Sequence, residues 1–273
     1  MPDISEVSFD LKGFHLFKGD PGTGKSPAAC SWPEPYLFDV DGRIQSVAQY
    51  WRGKKKIAYD NYINNYPGIM DKIDKLTDRN PYGTLIMDGI TTVARSIQRA
   101  CFDSRLPGAK FRDSSGTERE YKNMITNAKT GFKGVPKLEM DDYMAENNGI
   151  IQMLDGLRSL WNDGKGCNVI VIGHVITSEQ KDLKGRITTT RRLITGGTKI
   201  AAEIPIYFNE AYHFNVESFG NRKYQIFTRN EGDDWAKTTL PIPDKIDFTD
   251  RNLYDDIQWF IAEWKKEHEP ANV

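Results

Sequence analysis

The stretch Gly19-Asp20-Pro21-Gly22-Thr23-Gly24-Lys25-Ser26 decides how this chain is read. It fits G-x-x-x-x-G-K-[ST], the loop that cradles the phosphates of a nucleoside triphosphate. Both flanks agree. Phe14 to Lys18 reads as a strand and Ser26 to Trp32 as a short helix, with Pro27 in a first turn where a missing N–H costs little. A strand-loop-helix unit aims backbone N–H groups and the positive end of a helix dipole at one point. Gly19, Gly22 and Gly24 let the backbone approach phosphate oxygens, with Asp20, Pro21 and Thr23 completing the loop. Lys25 is expected to bridge the β- and γ-phosphates, and Ser26 to offer its hydroxyl to Mg²⁺.

Outward from this loop the chain alternates strands and helices. Tyr36 to Val40 reads as a second strand, with Asp39 and Asp41 at its end and Gly42 as the turn. Thr84-Leu-Ile-Met-Asp88 is a continuous apolar run closed by a carboxylate, the pattern of a buried parallel strand. An Asp there can simply cap the next helix, but beside a phosphate loop it is expected to support the metal. Asn168 to Gly173 is another buried strand, ending at His174. That histidine reads as a γ-phosphate sensor if its strand neighbours the Asp88 strand, and otherwise as a core histidine. Ile44 to Trp51 reads as a short amphipathic segment, and helices are predicted from Pro67 onward and over Thr91 to Phe102, Tyr143 to Trp161 and Leu253 to Lys266. Ile57 to Tyr59 is a candidate edge strand, and Ala211 to Val216 with Lys223 to Thr228 a candidate hairpin. The expected fold is α/β: a mostly parallel central sheet flanked by helices, closed by a C-terminal β-hairpin and helix, in one domain over 1–273.

Composition limits what such a fold does. A net charge of −1 gives no global attraction to nucleic acid or membrane, so any polyanion site is a local patch. Cys30, Cys101 and Cys167 lack C-x-x-C spacing, which fits a reducing, cytoplasmic setting. The start, Met1-Pro-Asp-Ile-Ser-Glu, does not read as a signal peptide, and no apolar run reaches spanning length. Lys54-Lys55-Lys56 reads as solvated surface. Two basic segments stand out. The insert at 106–142 mixes Lys110, Arg112, Lys122 and Lys133 with Phe111, Tyr121 and Phe132, which suits either single-stranded nucleic acid or a solvated lid. The second, 178–199, carries Lys181, Lys184, Arg186, Arg191, Arg192 and Lys199, with Ile187 to Thr190 suited to part of a hairpin. Asp88 is followed by Gly89 rather than Glu, so a water-orienting carboxylate must come from elsewhere. Asp41 is the best placed and Asp39 the fallback.

At these residues the chain resembles the RecA-like ATPases of phages, in particular the Sak-type single-strand-annealing recombinases. The resembling stretches are 19–26, Pro-Tyr-Leu-Phe-Asp-Val-Asp-Gly at 35–42, Leu-Ile-Met-Asp-Gly-Ile-Thr-Thr at 85–92, Val-Ile-Val-Ile-Gly-His at 169–174 and Trp-Ala-Lys at 235–237. The resemblance implies a RecA-like P-loop fold, ATP hydrolysis with Mg²⁺ and single-stranded DNA binding through the two basic segments. It also implies homo-oligomeric rings or filaments, and work beside a single-strand DNA-binding protein in an infected bacterial host. Carried across, Lys25 and Ser26 hold phosphates and metal, Asp88 supports the metal, and Asp41 takes the catalytic carboxylate's place. His174 matches the γ-phosphate sensor, and Lys237 a basic residue that reaches into a neighbouring subunit. Two positions depart from the pattern: Asp41 is shorter than the usual Glu, and Thr239 replaces a second basic finger. The function expected is a DNA-stimulated ATPase of phage recombination or replication. The alternatives are a RecA-fold helicase or helicase loader, and a nucleotide-gated protein-interaction module.

Overall fold

The structure is a computed structural model that describes residues 11–104, 110–112, 118–120, 140–162, 166–181, 187–195, 198–217, 222–230, 235–249 and 252–268. Its elements run β1 (Phe14–Gly19), α1 (Lys25–Ala29), β2 (Pro35–Asp39), α2 (Ile44–Trp51), β3 (Ala58–Asn61), α3 (Tyr66–Asp78), β4 (Thr84–Asp88), α4 (Ile90–Ser104), β5 (Lys110–Arg112), β6 (Glu118–Glu120), α5 (Met140–Asn162), β7 (Asn168–Lys181), β8 (Ile187–Leu193), α6 (Thr198–Glu203), a 3₁₀ turn (Ile204–Tyr207), β9 (Glu210–Glu217), β10 (Lys223–Phe227), β11 (Lys245–Asp247) and α7 (Leu253–His268).

The apolar runs form a sheet covered on both faces, because successive strand residues point to opposite sides. Phe14, Leu16, Leu85, Met87, Val169 and Val171 pack into one core with α3, α4 and α5. Their neighbours Phe17, Ile86, Ile170 and Ile172 pack into the other, with α1, α2 and α7. The nine-stranded sheet has the order β11-β10-β9-β1-β7-β4-β2-β3, with β8 attached to β7. β1, β2, β3, β4, β7 and β9 are mutually parallel. β8, β10 and β11 are antiparallel to their partners. The expected mostly parallel α/β sheet with a C-terminal hairpin and helix is therefore present.

Three details differ from the sequence reading. The helix after the phosphate loop ends at Ala29, and the chain turns at once through Ser31 and Trp32, whose N–H groups reach back to Ala28 and Ala29 carbonyls. Lys55 is not simply solvated: its Nζ donates to the Ser31 and Trp32 carbonyls at 2.5 and 2.6 Å, closing that turn. The strand that begins at Asn168 does not stop at His174. It continues to Lys181 and pairs with β8 from Val175↔Leu193 to Lys181↔Ile187, so much of the second basic segment is a β-hairpin. Within the 106–142 insert, β5 and β6 pair antiparallel. The rest of that insert up to Met140, its side chains, Lys184, Arg186 and the side chains of Lys181 and Lys199 lie outside the described residues.

A candidate nucleotide-binding site

Strand register brings four chain segments to one level. Gly19 pairs with His174, Asp88 with Ile172, and Asp39 with Asp88. These are the carboxyl ends of parallel strands, where open α/β sheets bind ligands. A cleft of about 680 Å³ opens there, large enough for a nucleotide.

The phosphate loop forms the cleft floor. Gly19 has φ +152°, and a Cβ there would run into the Phe214 carbonyl oxygen. Gly24 caps α1 at φ +82°, and a Cβ on it would lie 3.1 Å from the Tyr224 ring. Both positions therefore need glycine. Lys25 is buried, and its Nζ donates to Gly19 O at 2.9 Å, Asp20 O at 2.6 Å and Thr23 Oγ1 at 3.2 Å. Burial pushes its pKa down to about 8 against the opposing pull of the Asp88, Asp20 and Asp41 charges. A buried ammonium whose close acceptors are loop carbonyls and a hydroxyl fits a polyphosphate, which would supply the missing negative charge.

Beside it, the Ser26 hydroxyl neighbours Asp88. Burial raises the Asp88 pKa to about 6, and the Asp41 and Asp39 charges add to that, against the pull of the Ser26 hydroxyl and the Lys25 charge. A cation at Ser26 and Asp88 would relieve this. One hydroxyl and one carboxylate suit Mg²⁺, which takes few protein ligands and keeps waters and phosphate oxygens. No group of three or more His, Cys, Asp or Glu able to hold a metal occurs among the described residues, so the site does not resemble a closed structural metal cage.

Asp39 and Asp41 play different parts. Asp39 is 1% exposed, and its Oδ1 accepts the Arg43 N–H at 2.9 Å, at the start of α2. Its Oδ2 has no hydrogen-bond partner among the described residues. Asp41 faces the cleft. Its Oδ1 accepts a hydrogen bond from the Thr92 hydroxyl, and its Oδ2 lies 3.7 Å from His174 Nε2. Burial opposes its charge, but the neighbouring His174, the Thr92 hydrogen bond and the Arg43 charge hold its pKa below the usual carboxylate value. The His174 strand, β7, lies between β1 and β4, next to the Asp88 strand.

Lys237 is not in this cleft. It is exposed and pairs through its backbone with Ala211, at 2.8 and 3.0 Å, level with Leu16 rather than Gly19. Thr239 is committed within the chain, with N–H and hydroxyl both donating to Glu210 Oε1 at 2.8 and 2.6 Å.

The sequence reading missed a second wall of the cleft, lined by Arg222, Tyr224, Phe248, Thr249 and Asn252, of which Tyr224 and Phe248 adjoin Gly24. The Tyr224 N–H donates to Thr249 Oγ1 at 2.9 Å, Thr249 Oγ1 donates to Asp247 Oδ1 at 2.7 Å, and the Tyr254 N–H donates to Asn252 Oδ1 at 3.1 Å. The rings of Tyr224 and Phe248 lie 6.1 Å apart. No local motif marks these residues. Thr92 lay inside a quoted stretch but carried no assigned role.

Comparison with known proteins bears on the whole chain. No curated protein sequence matches it. Among solved structures it is similar to a KaiC-like protein from the archaeon Pyrococcus horikoshii, with 11% identity, 90% of this chain and 89% of that one covered, and a TM-score of 0.42. It is also similar to the flagellar accessory protein FlaH from Methanocaldococcus jannaschii, with 10% identity, coverage of 87% and 84%, and a TM-score of 0.39. A family model described as an AAA domain matches residues 15–238, a span that runs from β1 through the phosphate loop, Asp41, Asp88 and His174 to Lys237. The chain therefore belongs to the AAA domain family, as a phosphate-loop ATPase.

Proposed function

We propose that the protein is a Mg²⁺-dependent ATPase that binds single-stranded DNA and serves phage recombination or replication by annealing or exchanging strands. The loop 19–26 binds the triphosphate, and Ser26 and Asp88 hold Mg²⁺, which when bound neutralises charge on the β- and γ-phosphate oxygens. Asp41 accepts a hydrogen bond from the attacking water and holds it in line, while His174 contacts the γ-phosphate. The observation that carries the DNA-binding half is the course of β7. The strand that places His174 against Asp41 runs on into the β7–β8 hairpin, where Ile176 is 50% exposed and pairs with the exposed Arg192. An apolar side chain next to a guanidinium offers a base a surface to pack on and a phosphate a cation.

The test is ATP turnover with and without single-stranded oligonucleotide, together with oligonucleotide binding at several salt concentrations. Stimulation by DNA and a steep loss of affinity with salt are expected, since each released phosphate counterion steepens the slope. Turnover indifferent to DNA, with affinity flat in salt, would exclude this role and favour a nucleotide-gated protein-interaction module.

Lys237, exposed and outside its own cleft, acts in this reading on a neighbouring subunit of a ring or filament. Lys237→Ala should lower turnover, and mixing it with Lys25→Ala subunits should restore part of it at mixed interfaces. A Lys237→Ala protein as active as the parent removes that role.

A further inference from the structure

Thr91 and Thr92 stand side by side in the first turn of α4, and their hydroxyls go to different places. The Thr92 hydroxyl donates to Asp41 Oδ1. The Thr91 hydroxyl donates to the Ile194 carbonyl at 3.0 Å. Ile194 follows β8 directly, and its own N–H donates to the His174 carbonyl at 2.9 Å. The turn itself is secured, with the Thr92 and Val93 N–H groups both reaching Gly89 O at 3.1 Å and the Ser96 hydroxyl bonding Thr92 O at 3.0 Å. One helical turn therefore grips a cleft carboxylate with one residue and the root of the hairpin with the next.

Asp41 needs such a grip. It follows β2 in a loop, where no regular element fixes its side chain. A charge-assisted bond from a hydroxyl on a packed helix supplies that fixity, since such bonds are short and directional. His174 faces the other carboxylate oxygen, so the two oxygens are held from two different elements.

We propose that Thr92 is the positioning residue that sets the orientation of Asp41, and that Thr91 ties this setting to the root of the β7–β8 hairpin. This rests on Asp41 being the water-orienting carboxylate, so Asp41→Asn belongs in the same experiment. Steady-state ATP turnover, affinity for a fluorescent ATP analogue, and hydrogen exchange of the nucleotide-free full chain are measured for Asp41→Asn, Thr92→Val, Thr92→Ser and Thr91→Val. Thr92→Val is expected to lower kcat about 10-fold with KM and analogue affinity unchanged, and Thr92→Ser, which keeps the hydroxyl, to recover most of it. Thr91→Val is expected to speed exchange of the Ile194 amide about 10-fold, leaving the analogue affinity as it was. If Asp41→Asn abolishes turnover while Thr92→Val keeps the parental kcat, or if Thr92→Ser is as impaired as Thr92→Val, the positioning role is overturned and the reading of Asp41 stands. If Ile194 exchange is unmoved in Thr91→Val, the tie to the hairpin is overturned. If Asp41→Asn turns over normally, the reading of Asp41 fails and the proposal falls with it.

Discussion

Around the phosphate loop Lys25, Asp39 and Asp88 are all buried, whereas a second wall of the cleft offers the neutral side chains of Tyr224, Phe248, Thr249 and Asn252, with the exposed Arg222 beside them. The first group is poised against burial: Asp88 is pushed up to about 6 and Lys25 down to about 8. The second group spends its polar atoms internally, with Thr249 tied to Asp247 and to the Tyr224 N–H. A polyphosphate and its cation would relieve the burial of the first group, and the second carries no buried charge to relieve. Substitutions in the charged group should trade stability against chemistry, and those in the neutral group should change affinity alone.

Lys25→Ala should show the largest effect. Removing the buried cation of the phosphate loop is expected to cut turnover at least about 100-fold, read by phosphate release. A variant that keeps most of its activity would break the contrast at its root.

Asp88→Asn comes next and should act in two directions. Folding raises this carboxyl from 3.8 to about 6, so the folded state holds the proton more tightly than the unfolded one. Stability from this group is fully present below pH 4, falls as the pH rises through about 6 and stays flat above. A shift of this size corresponds to about 3 kcal/mol lost at neutral pH. Asp88→Asn should therefore lose turnover yet raise the denaturant midpoint of the nucleotide-free protein at pH 7, with little gain at pH 4. A lower midpoint at pH 7 would show that the buried charge is already compensated.

Tyr224→Ala should be the mildest. Loss of a ring from the neutral wall is expected to raise KM about 10-fold with kcat retained, while Tyr224→Phe stays near the parent. A fall in kcat at constant KM would mean that this wall takes part in the chemistry and would erase the distinction between the two groups.

The two groups also differ in how openly the sequence declares them. The phosphate-loop group is local. Eight consecutive residues impose its conformation, and Asp88 and His174 could be found because each closes an apolar run that only a buried strand explains. Their meeting depended on strand order, which a sequence leaves open until β7 is seen between β1 and β4. The neutral wall is non-local: Tyr224 and Phe248 meet Gly24 only after the sheet has folded, and neither has a pattern distinguishing it from other core-packed aromatics. The hairpin was half legible. The β-branched run at Ile187 to Thr190 signalled β8, but its partner lay hidden in the continuation of a strand that a polar residue, His174, seemed to end. Lys55 looked like surface for a similar reason, since a charge run does not reveal that one member caps a turn in space.

β7 is 14 residues long and unbroken from the core to its tip. From His174 to Lys181 the chain climbs about 23 Å at strand pitch, so a tilt of about 5° at its foot displaces the tip by about 2 Å. Carried along the paired strands, small adjustments around His174 would reach Lys181 enlarged in proportion to that length.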